Sequence, residues 1–257
     1  MYSITSFISE ISDMASRIEW TEETWNPLTG CTKISGGCKN CYAEVMARRL
    51  QAMGTKGYEN GFQLTMRPDR LNEPLNNKKP TMYFVNSMSD LFHEKVPFEF
   101  IDKVFDTVKK ASWHKFQVLT KRADIMAKYF QTRKIPENVW LGVTVENKKE
   151  GLPRIDYLKS VKDAKIKFLS VEPLLEDLGD VDFSGLDWII VGGESGPKAR
   201  PMQKEWAIHI KNQCEKQDVA FYFKQWGTWG EDMKKRSKKE NGHLLENKTY
   251  REMPQSA

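Results

Sequence analysis

Short, mostly apolar runs alternate with longer amphipathic segments along the chain from Thr81 onward. Apolar runs bounded by polar residues are typical of buried β-strands, and apolar positions three or four residues apart are typical of helices. Strands are therefore predicted at 81–85, 116–119, 139–143, 165–169, 188–191 and 219–223. Helices are predicted between them at 97–111, 123–131, 153–160 and 204–217.

The alternation of strand and helix predicts an α/β protein whose strands pair in parallel. A doubly wound sheet and a partial or full TIM-like (β/α) barrel both fit this order. Polar residues at the carboxyl ends of the strands favour the barrel, because a barrel gathers those ends on one rim. Some of these residues have an alternative role as helix caps, but repeated carboxylates directly after strands indicate a pocket. The polar segments are 86–90, 120–122, 144–147, 170–173, 192–196 and 224–226.

The length of the chain, 257 residues, suits one large domain with a substantial core. We predict an N-terminal extension at 1–17, a single barrel-like domain at 18–230 and a basic C-terminal tail at 231–257. The extension is irregularly patterned and is expected to be poorly ordered. Met14 is an alternative start to Met1.

Neither a bilayer-spanning apolar stretch nor a signal peptide is present in the sequence, so no membrane association is expected. The net charge of +5 is modest, and bulk charge alone does not indicate nucleic-acid binding. The basic excess is local, since Lys and Arg residues at 234–239 follow Trp226 and Trp229. This pattern fits either a nucleic-acid surface with stacking aromatics or a packed strand followed by a solvated tail.

Three of the four cysteines, Cys31, Cys38 and Cys41, fall within eleven residues. An odd number of crowded thiols suits neither a disulfide framework nor core packing, so we interpret them as metal ligands in a reducing, cytoplasmic compartment. A structural zinc site would need a fourth ligand, for which Cys214 or His209 is available. An iron–sulfur cluster held by three thiolates would instead leave one iron open to a small molecule.

These cysteines belong to a set of motifs that resembles a phage-associated three-cysteine-motif family of unassigned function. The family is itself similar to a divergent branch of the radical S-adenosylmethionine (SAM) superfamily. Six residues separate Cys31 from Cys38, whereas the common radical SAM signature has three; the Cys38–Cys41 spacing and Tyr42 agree with it. The motifs lie at 18–22, 24–27, 30–31, 37–38, 40–43, 86–92, 119–122, 140–146, 170–174, 191–196 and 223–227.

The resemblance implies a radical-SAM-like barrel and a specific chemistry. Cys31, Cys38 and Cys41 would bind a [4Fe–4S] cluster, and SAM would bind the open iron. One-electron reduction would then give a 5′-deoxyadenosyl radical that abstracts hydrogen from a substrate. Candidate cofactor-binding residues, taken from their positions at strand ends or beside the cysteines, are Tyr42, Asn86, Ser87, Asp90, Thr144, Glu146, Glu172, Gly192, Gly193 and Glu194. Candidate substrate-binding residues are Lys121, Arg122, Arg200, Lys224 and Trp226.

Two other function classes remain open at this point. One is a non-catalytic zinc-binding or adaptor module that recognises a ligand or a partner protein. The other is a hydrolase or nuclease that uses Asp90, Glu146 and Glu172 with a divalent metal, the cysteines being structural. For the radical SAM interpretation, a nucleic acid or nucleotide substrate and a separate electron donor are expected.

Overall fold

The structure, a computed structural model, describes residues 19–255; the predicted extension at 1–17 lies outside them. Seven strands form one parallel sheet in which spatial neighbours follow chain order, and the second and third strands along the chain pair separately. All six predicted strands are confirmed within two residues at their bounds. The strands are β1 Glu23–Trp25, β2 Leu28–Thr29, β3 Thr65–Met66, β4 Met82–Val85, β5 Lys115–Thr120, β6 Val139–Thr144, β7 Ile166–Val171, β8 Trp188–Gly192 and β9 Ala220–Gln225.

The four predicted helices are also confirmed, two of them at the predicted bounds. The helices are α1 Tyr42–Ala52, α2 Glu73–Asn76, α3 Phe98–Lys110, α4 Ala123–Phe130, α5 Lys148–Gly151, α6 Pro153–Ser160, α7 Lys204–Gln217 and α8 Lys238–Asn241. Single 3-10 turns lie at Gly36–Cys38 and Pro68–Arg70. Within residues 19–255, no helix combines the length and the apolar character needed to cross a membrane.

The two faces of the sheet carry different cores, because successive strand residues point to opposite sides. Along β8, Ile189 and Val191 join the large core beneath the helices, whereas Trp188 and Ile190 join an aromatic cluster on the concave face. Parallel strands in chain order with right-handed crossovers place their helices on one face, which is the arrangement of a TIM barrel. The fold is therefore an α/β partial barrel, as the sequence predicts.

Large aromatic rings pack against one another on the concave face of the sheet. Trp20 contacts Phe84, Phe168 and Trp188 edge-on, with ring centroids 4.8 to 6.1 Å apart. Trp20 precedes β1, so the chain leading into the sheet supplies part of this filling. Trp20 and Phe84 also line the open space at the carboxyl ends of the strands.

The C-terminal segment, residues 231–255, packs along β9 and against Glu19, the first of the described residues. Glu19 faces both Lys238 and Arg251 at 3.4 Å, and the indole N–H groups of Trp188 and Trp226 donate to backbone oxygens of the segment. Leu245 in this segment is fully buried. The segment thus covers the side of the partial barrel between β9 and β1; the division of the chain into domains stays a prediction.

Candidate functional site

The cysteine loop, residues 30–42, crosses the carboxyl edge of the sheet between β2 and α1. Its first part is fixed by backbone hydrogen bonds, from Gly30 N to Met88 O and from Cys31 N to Phe62 O. Its last part runs into α1, where Cys41 is the N-cap residue and its thiol makes no capping bond. The loop therefore lies where polar strand ends converge.

All three loop cysteines are partly exposed and free. Burial and the nearby Asp90 carboxylate raise the pKa of the Cys31 thiol to about 11, although Arg122 opposes them. The Cys38 thiol lies 3.7 Å from the Ser35 hydroxyl. Among residues 19–255, no group of three or more Cys, His, Asp or Glu side chains is close enough together to hold a metal ion.

A cavity of about 370 Å³ lies between the cysteine loop and the strand ends. This volume falls in the range of roughly 300–1,000 Å³ that is common for small-molecule sites. Its apolar wall contains Trp20, Phe84 and Leu119. The loop contributes Gly37, Asn40, Cys41 and Tyr42, and the strand ends contribute Thr144, Ser170, Glu172, Gly193, Glu194, Lys224 and Gln225.

Glu172 and Lys224 form an ion pair inside this cavity. The Lys224 Nζ donates to Glu172 Oε2 at 2.7 Å, and the Ser170 hydroxyl lies 3.3 Å from Glu172 Oε1. Both charged side chains are largely buried, with 14% and 16% of their surfaces exposed. The pair presents one anion and one cation to a bound molecule at the same place.

Arg122 follows β5 and joins the first cysteine to two carboxylates. Its guanidinium contacts Asp90 Oδ2 at 3.2 Å and Glu94 Oε2 at 2.6 Å, and its Nη1 lies 3.5 Å from Cys31 Sγ. It also donates to the backbone oxygen and the hydroxyl of Thr32. Asp90 and Arg122, predicted as cofactor and substrate contacts, are thus brought together under the start of the loop.

Glu146 follows β6 and is fully buried beneath the middle of the loop. It accepts a hydrogen bond from the Ser35 hydroxyl and one of 2.6 Å from Arg154. Burial raises the pKa of this carboxyl, but Lys121, Arg154 and the Ser35 hydrogen bond together hold it below its usual value. A Cβ atom on Gly37 would lie 2.8 Å from Glu146 Oε1, so the close approach of loop and carboxylate requires glycine there.

Glu194 and Arg200 form the third charged pair against the loop. Arg200 makes bonds of 2.9 and 2.6 Å from its Nε and Nη2 to the two carboxylate oxygens, and its Nη1 donates to Gly36 O at 2.9 Å. Asn40 Nδ2 donates to Glu194 Oε2 at 3.1 Å. Although burial raises the pKa of Glu194, its bonds with Arg200 and Asn40 hold that pKa below its usual value.

The remaining predicted residues have mixed placements. Gly192 ends β8, and a Cβ on Gly193 would lie 1.9 Å from Trp226 O, so this glycine lets two backbone segments touch. Trp226 is 1% exposed and donates to Leu244 O, which places its ring in the core rather than against a ligand. The Lys121 backbone N–H donates to Asp90.

The end of β4 contains one polar side chain without a partner. Asn86 is 3% exposed, has φ of 63°, and neither its amide nitrogen nor its amide oxygen is hydrogen-bonded. The neighbouring Ser87 hydroxyl contacts Asn26, and the Ser87 backbone oxygen accepts from the Tyr42 hydroxyl. Tyr42 therefore ties the end of the cysteine loop to the end of β4.

Cys214 and His209, the alternative fourth zinc ligands, lie elsewhere. Cys214 is fully buried in the helix-side core and faces a different cavity, which also contains Ala220 at the amino end of β9. His209 contacts Asp177 and Asp180. The described structure therefore gives the loop cysteines no fourth ligand from α7. Their donor chemistry, three thiols on one loop beside a cavity, fits an iron–sulfur cluster better than a closed zinc site.

Several residues at the site were not predicted from the sequence. They are Trp20, Ser35, Asn40, Phe84, Glu94, Leu119, Glu150 and Arg154. Ser35 and Asn40 lie within the cysteine motif, so proximity to the thiols was an available signal. Arg154 carries no such signal, because it lies on α6 in a segment that reads as an ordinary amphipathic helix.

Comparisons with solved structures give low similarity. The chain is similar to spore photoproduct lyase complexed with dinucleoside spore photoproduct, at 14% identity and a TM-score of 0.39 over 75% of this chain. A variant of that lyase with bound AdoMet and dinucleoside spore photoproduct matches at 13% identity and a TM-score of 0.40 over 80% of this chain. This chain spans 60% and 64% of those two solved chains, and we draw no functional conclusion from matches at this level.

Sequence comparison gives the clearer relationship. No curated protein matches the sequence. A family model described as "Protein of unknown function (DUF5131)" matches residues 15–254, which is nearly the whole chain and includes every residue of the site. The chain therefore belongs to this family, DUF5131.

Proposed function

We propose that this protein is a radical-SAM-like enzyme that holds a [4Fe–4S] cluster through Cys31, Cys38 and Cys41 and binds SAM in the adjoining cavity. The observation that carries the proposal is that the cysteine loop itself forms a wall of the cavity, with Cys41 among the lining residues. When bound, the cluster and SAM supply a 5′-deoxyadenosyl radical that abstracts hydrogen from a substrate. The protein's own residues would bind and orient the cofactor and the substrate, and shield the reaction from solvent.

The cavity offers each part of SAM a suitable surface. Trp20, Phe84 and Leu119 provide apolar area for the adenine, and the Thr144 and Ser170 hydroxyls lie at the strand ends that face the cavity. SAM carries an ammonium and a carboxylate at its methionyl end. The Glu172–Lys224 pair can exchange its internal contact for these two groups without leaving a buried charge unpaired.

Glu172 is the better candidate for the ammonium than Glu194 or Glu146. Both oxygens of Glu194 are bonded to Arg200, and one also accepts from Asn40. Both oxygens of Glu146 are bonded as well, one by Ser35 and one by Arg154. Removing either carboxylate from its partners to bind a ligand would leave its arginine unpaired, either the buried Arg154 or the partly exposed Arg200, which is costly.

The metal-dependent hydrolase has less support from the same geometry. That function needs Asp90, Glu146 and Glu172 to share a cation, but each is paired with its own arginine or lysine. We therefore do not propose it.

The proposal is tested by anaerobic purification of the full chain with iron, sulfide and zinc analysis. We expect about four iron atoms per chain for the wild type. C214S should keep that iron, because Cys214 lies in the core, and C38S should lose it. After reduction, the wild type with SAM should release 5′-deoxyadenosine. One zinc and no iron, or iron lost equally in C214S and C38S, would contradict the proposal.

A nucleic acid or nucleotide substrate, a cytoplasmic location and a phage origin are further predictions. Lys238 lies at the cavity, and Lys234, Lys235 and Lys239 are exposed in the same segment, which supports an anionic substrate. The Trp229 ring faces Lys235 Nζ at 4.8 Å. Binding of labelled DNA and RNA at two salt concentrations tests this, since phosphate contacts require a steep loss of affinity with salt.

A further inference from the structure

We propose that three arginine–carboxylate pairs at the strand ends are positioning residues that hold the cysteine loop in the shape its thiols need. The inference rests on the proposed function, because the loop needs a defined shape only if its three thiols bind the cluster. The pairs are Arg122–Asp90, Arg154–Glu146 and Arg200–Glu194. The carboxylate of each pair follows a different strand, and each pair contacts a different part of the loop.

The first pair fixes the start of the loop. Arg122 bonds the backbone oxygen and hydroxyl of Thr32 at 3.2 and 2.8 Å, and it also contacts Cys31 Sγ. Asp90 orients Arg122 from below and is itself held by the Thr120 hydroxyl at 2.6 Å. The position of Cys31 relative to the sheet is therefore set by a residue at the end of β5.

The second pair fixes the turn between the first and second cysteines. Glu146 accepts from the Ser35 hydroxyl on one oxygen and from Arg154 on the other. Glu150 accepts from the backbone N–H of Gly36 at 2.6 Å, which adds a second carboxylate beneath the same turn. The 3-10 turn that carries Cys38 begins at Gly36, so these contacts fix where Cys38 starts.

The third pair spans both sides of Cys38. Arg200 bonds Gly36 O, two residues before Cys38, and Glu194 bonds the side chain of Asn40, two residues after it. Because Arg200 and Glu194 are themselves joined by a two-bond contact, they form a bridge from one side of the 3-10 turn to the other. Asn40 also precedes Cys41 directly, so the bridge fixes the approach to the third cysteine.

The burial of these ion pairs indicates that they position the cysteine loop more than they stabilise the fold. The side chains of Asp90, Arg122, Glu146, Arg154 and Glu194 are at most 8% exposed. Desolvation offsets much of the attraction in buried ion pairs, so apolar side chains of similar size would stabilise the chain as well. What charged pairs add is a fixed set of directed hydrogen bonds, and here those bonds end on the cysteine loop.

Arg200 provides the cleanest test, because its side chain is 29% exposed and its replacement is the least disruptive. Arg133, which is 30% exposed and makes two bonds to Asp102 far from the loop, is a matched control. In the metal-free chain, R200Q should speed hydrogen exchange of the hydrogen-bonded amides of Gly36, Cys38 and Lys39 by roughly tenfold to a hundredfold, the effect of losing bonds to a charged group. R133Q should leave those amides unchanged.

The loaded protein gives a second readout. R200Q should lose iron faster to a chelator and should broaden the electron paramagnetic resonance signal of the reduced cluster, while R200K should restore part of both. N40A, which removes the loop's hydrogen bonds to Glu194 and to the Lys198 backbone oxygen, should act in the same direction if R200Q does not fold. Equal loop exchange and iron loss in wild type, R200Q and R133Q would overturn the inference.

The two proposals fail in different ways. A wild-type chain that takes up no iron would overturn the proposed function, yet faster loop exchange in R200Q would still support the positioning of the loop. Iron uptake by the wild type together with unchanged loop exchange in R200Q would instead overturn the positioning alone.

Discussion

Gly142 on β6 shows how closely single residues on the concave face are fitted. A Cβ atom there would lie 2.5 Å from the ring of Phe168 on the neighbouring strand. G142A should therefore lower the free energy of unfolding by about 1–3 kcal/mol through overpacking. F168L makes room, so the double variant should lose less than the sum of the two single losses in denaturant unfolding. Additive losses would contradict a direct contact.

His209 on α7 provides a pH-dependent contribution to stability. Its hydrogen bond to Asp177, with a further contribution from Asp180, raises the pKa of the imidazole above its usual 6.5. A raised folded pKa means that the stabilisation is fully present below pH 6.5 and is lost as pH rises through the folded value. The free energy of unfolding of the wild type should exceed that of H209Q near pH 5.5, and the difference should disappear as pH rises above the folded-state pKa. A pH-independent difference would contradict this assignment.

The sequence predicts which charged residues lie at the carboxyl ends of the strands, but not which of them form ion pairs with one another. The positions of Asp90, Glu146, Glu172 and Glu194 after strands correctly placed them at one edge of the sheet. The cation that neutralises each carboxylate depends on the path of the chain after the strand. Arg154 reaches Glu146 from a helix, and Arg200, six residues after Glu194, reaches Glu194 from the following loop. The hydrophobic periodicity of the sequence and the secondary-structure propensities of its residues contain no information about such contacts.

At the scale of elements, the C-terminal segment is part of the folded unit. Leu245 is fully buried, whereas its neighbour Leu244 is 46% exposed. L245A should cost about 2–5 kcal/mol, the usual range for a buried Leu truncated to Ala. L244A is a control in the same segment and should change the free energy of unfolding by no more than about 0.5 kcal/mol. Equal, small effects in chemical denaturation would mean that the segment does not pack as described.

Elements with strong periodicity were predicted well, and those without it were missed. The α3 helix shows apolar residues on one face, of which Phe100, Ile101, Val104 and Phe105 are buried, and its predicted bounds were off by one residue. β1 was missed because its three residues are strand only through pairing with β4. α1 was missed because it is rich in charged residues and buries only Ala43 and Ala47.

At the scale of the whole molecule, the partial barrel could be predicted because the order of strands and helices leaves few arrangements. The side on which the barrel opens could not, since it depends on how Glu19 meets β9 and the C-terminal segment across more than 200 residues of sequence. That the cysteine loop bears ligands stays a prediction from the sequence. Its attachment to three separate strand ends could be seen only in the folded chain.

Binding of SAM should stabilise the whole chain through its cavity. A ligand that binds only the folded state adds about 2.7 kcal/mol at one hundred times its Kd, which raises Tm by a few degrees in a protein of this size. E172Q removes the anion expected to meet the ammonium, so its midpoint for the SAM-dependent rise in Tm should move to roughly tenfold higher SAM. E215Q is the matched control, because Glu215 has an exposed side chain and forms a 2.8 Å pair with Lys211 on α7, away from the cavity. Adenosine, which lacks the methionyl end, should stabilise the wild type and E172Q equally. A loss of adenosine binding in E172Q would contradict the assignment of Glu172 to the methionyl end. Identical SAM titrations of E172Q and E215Q would likewise place the methionyl group away from the Glu172–Lys224 pair.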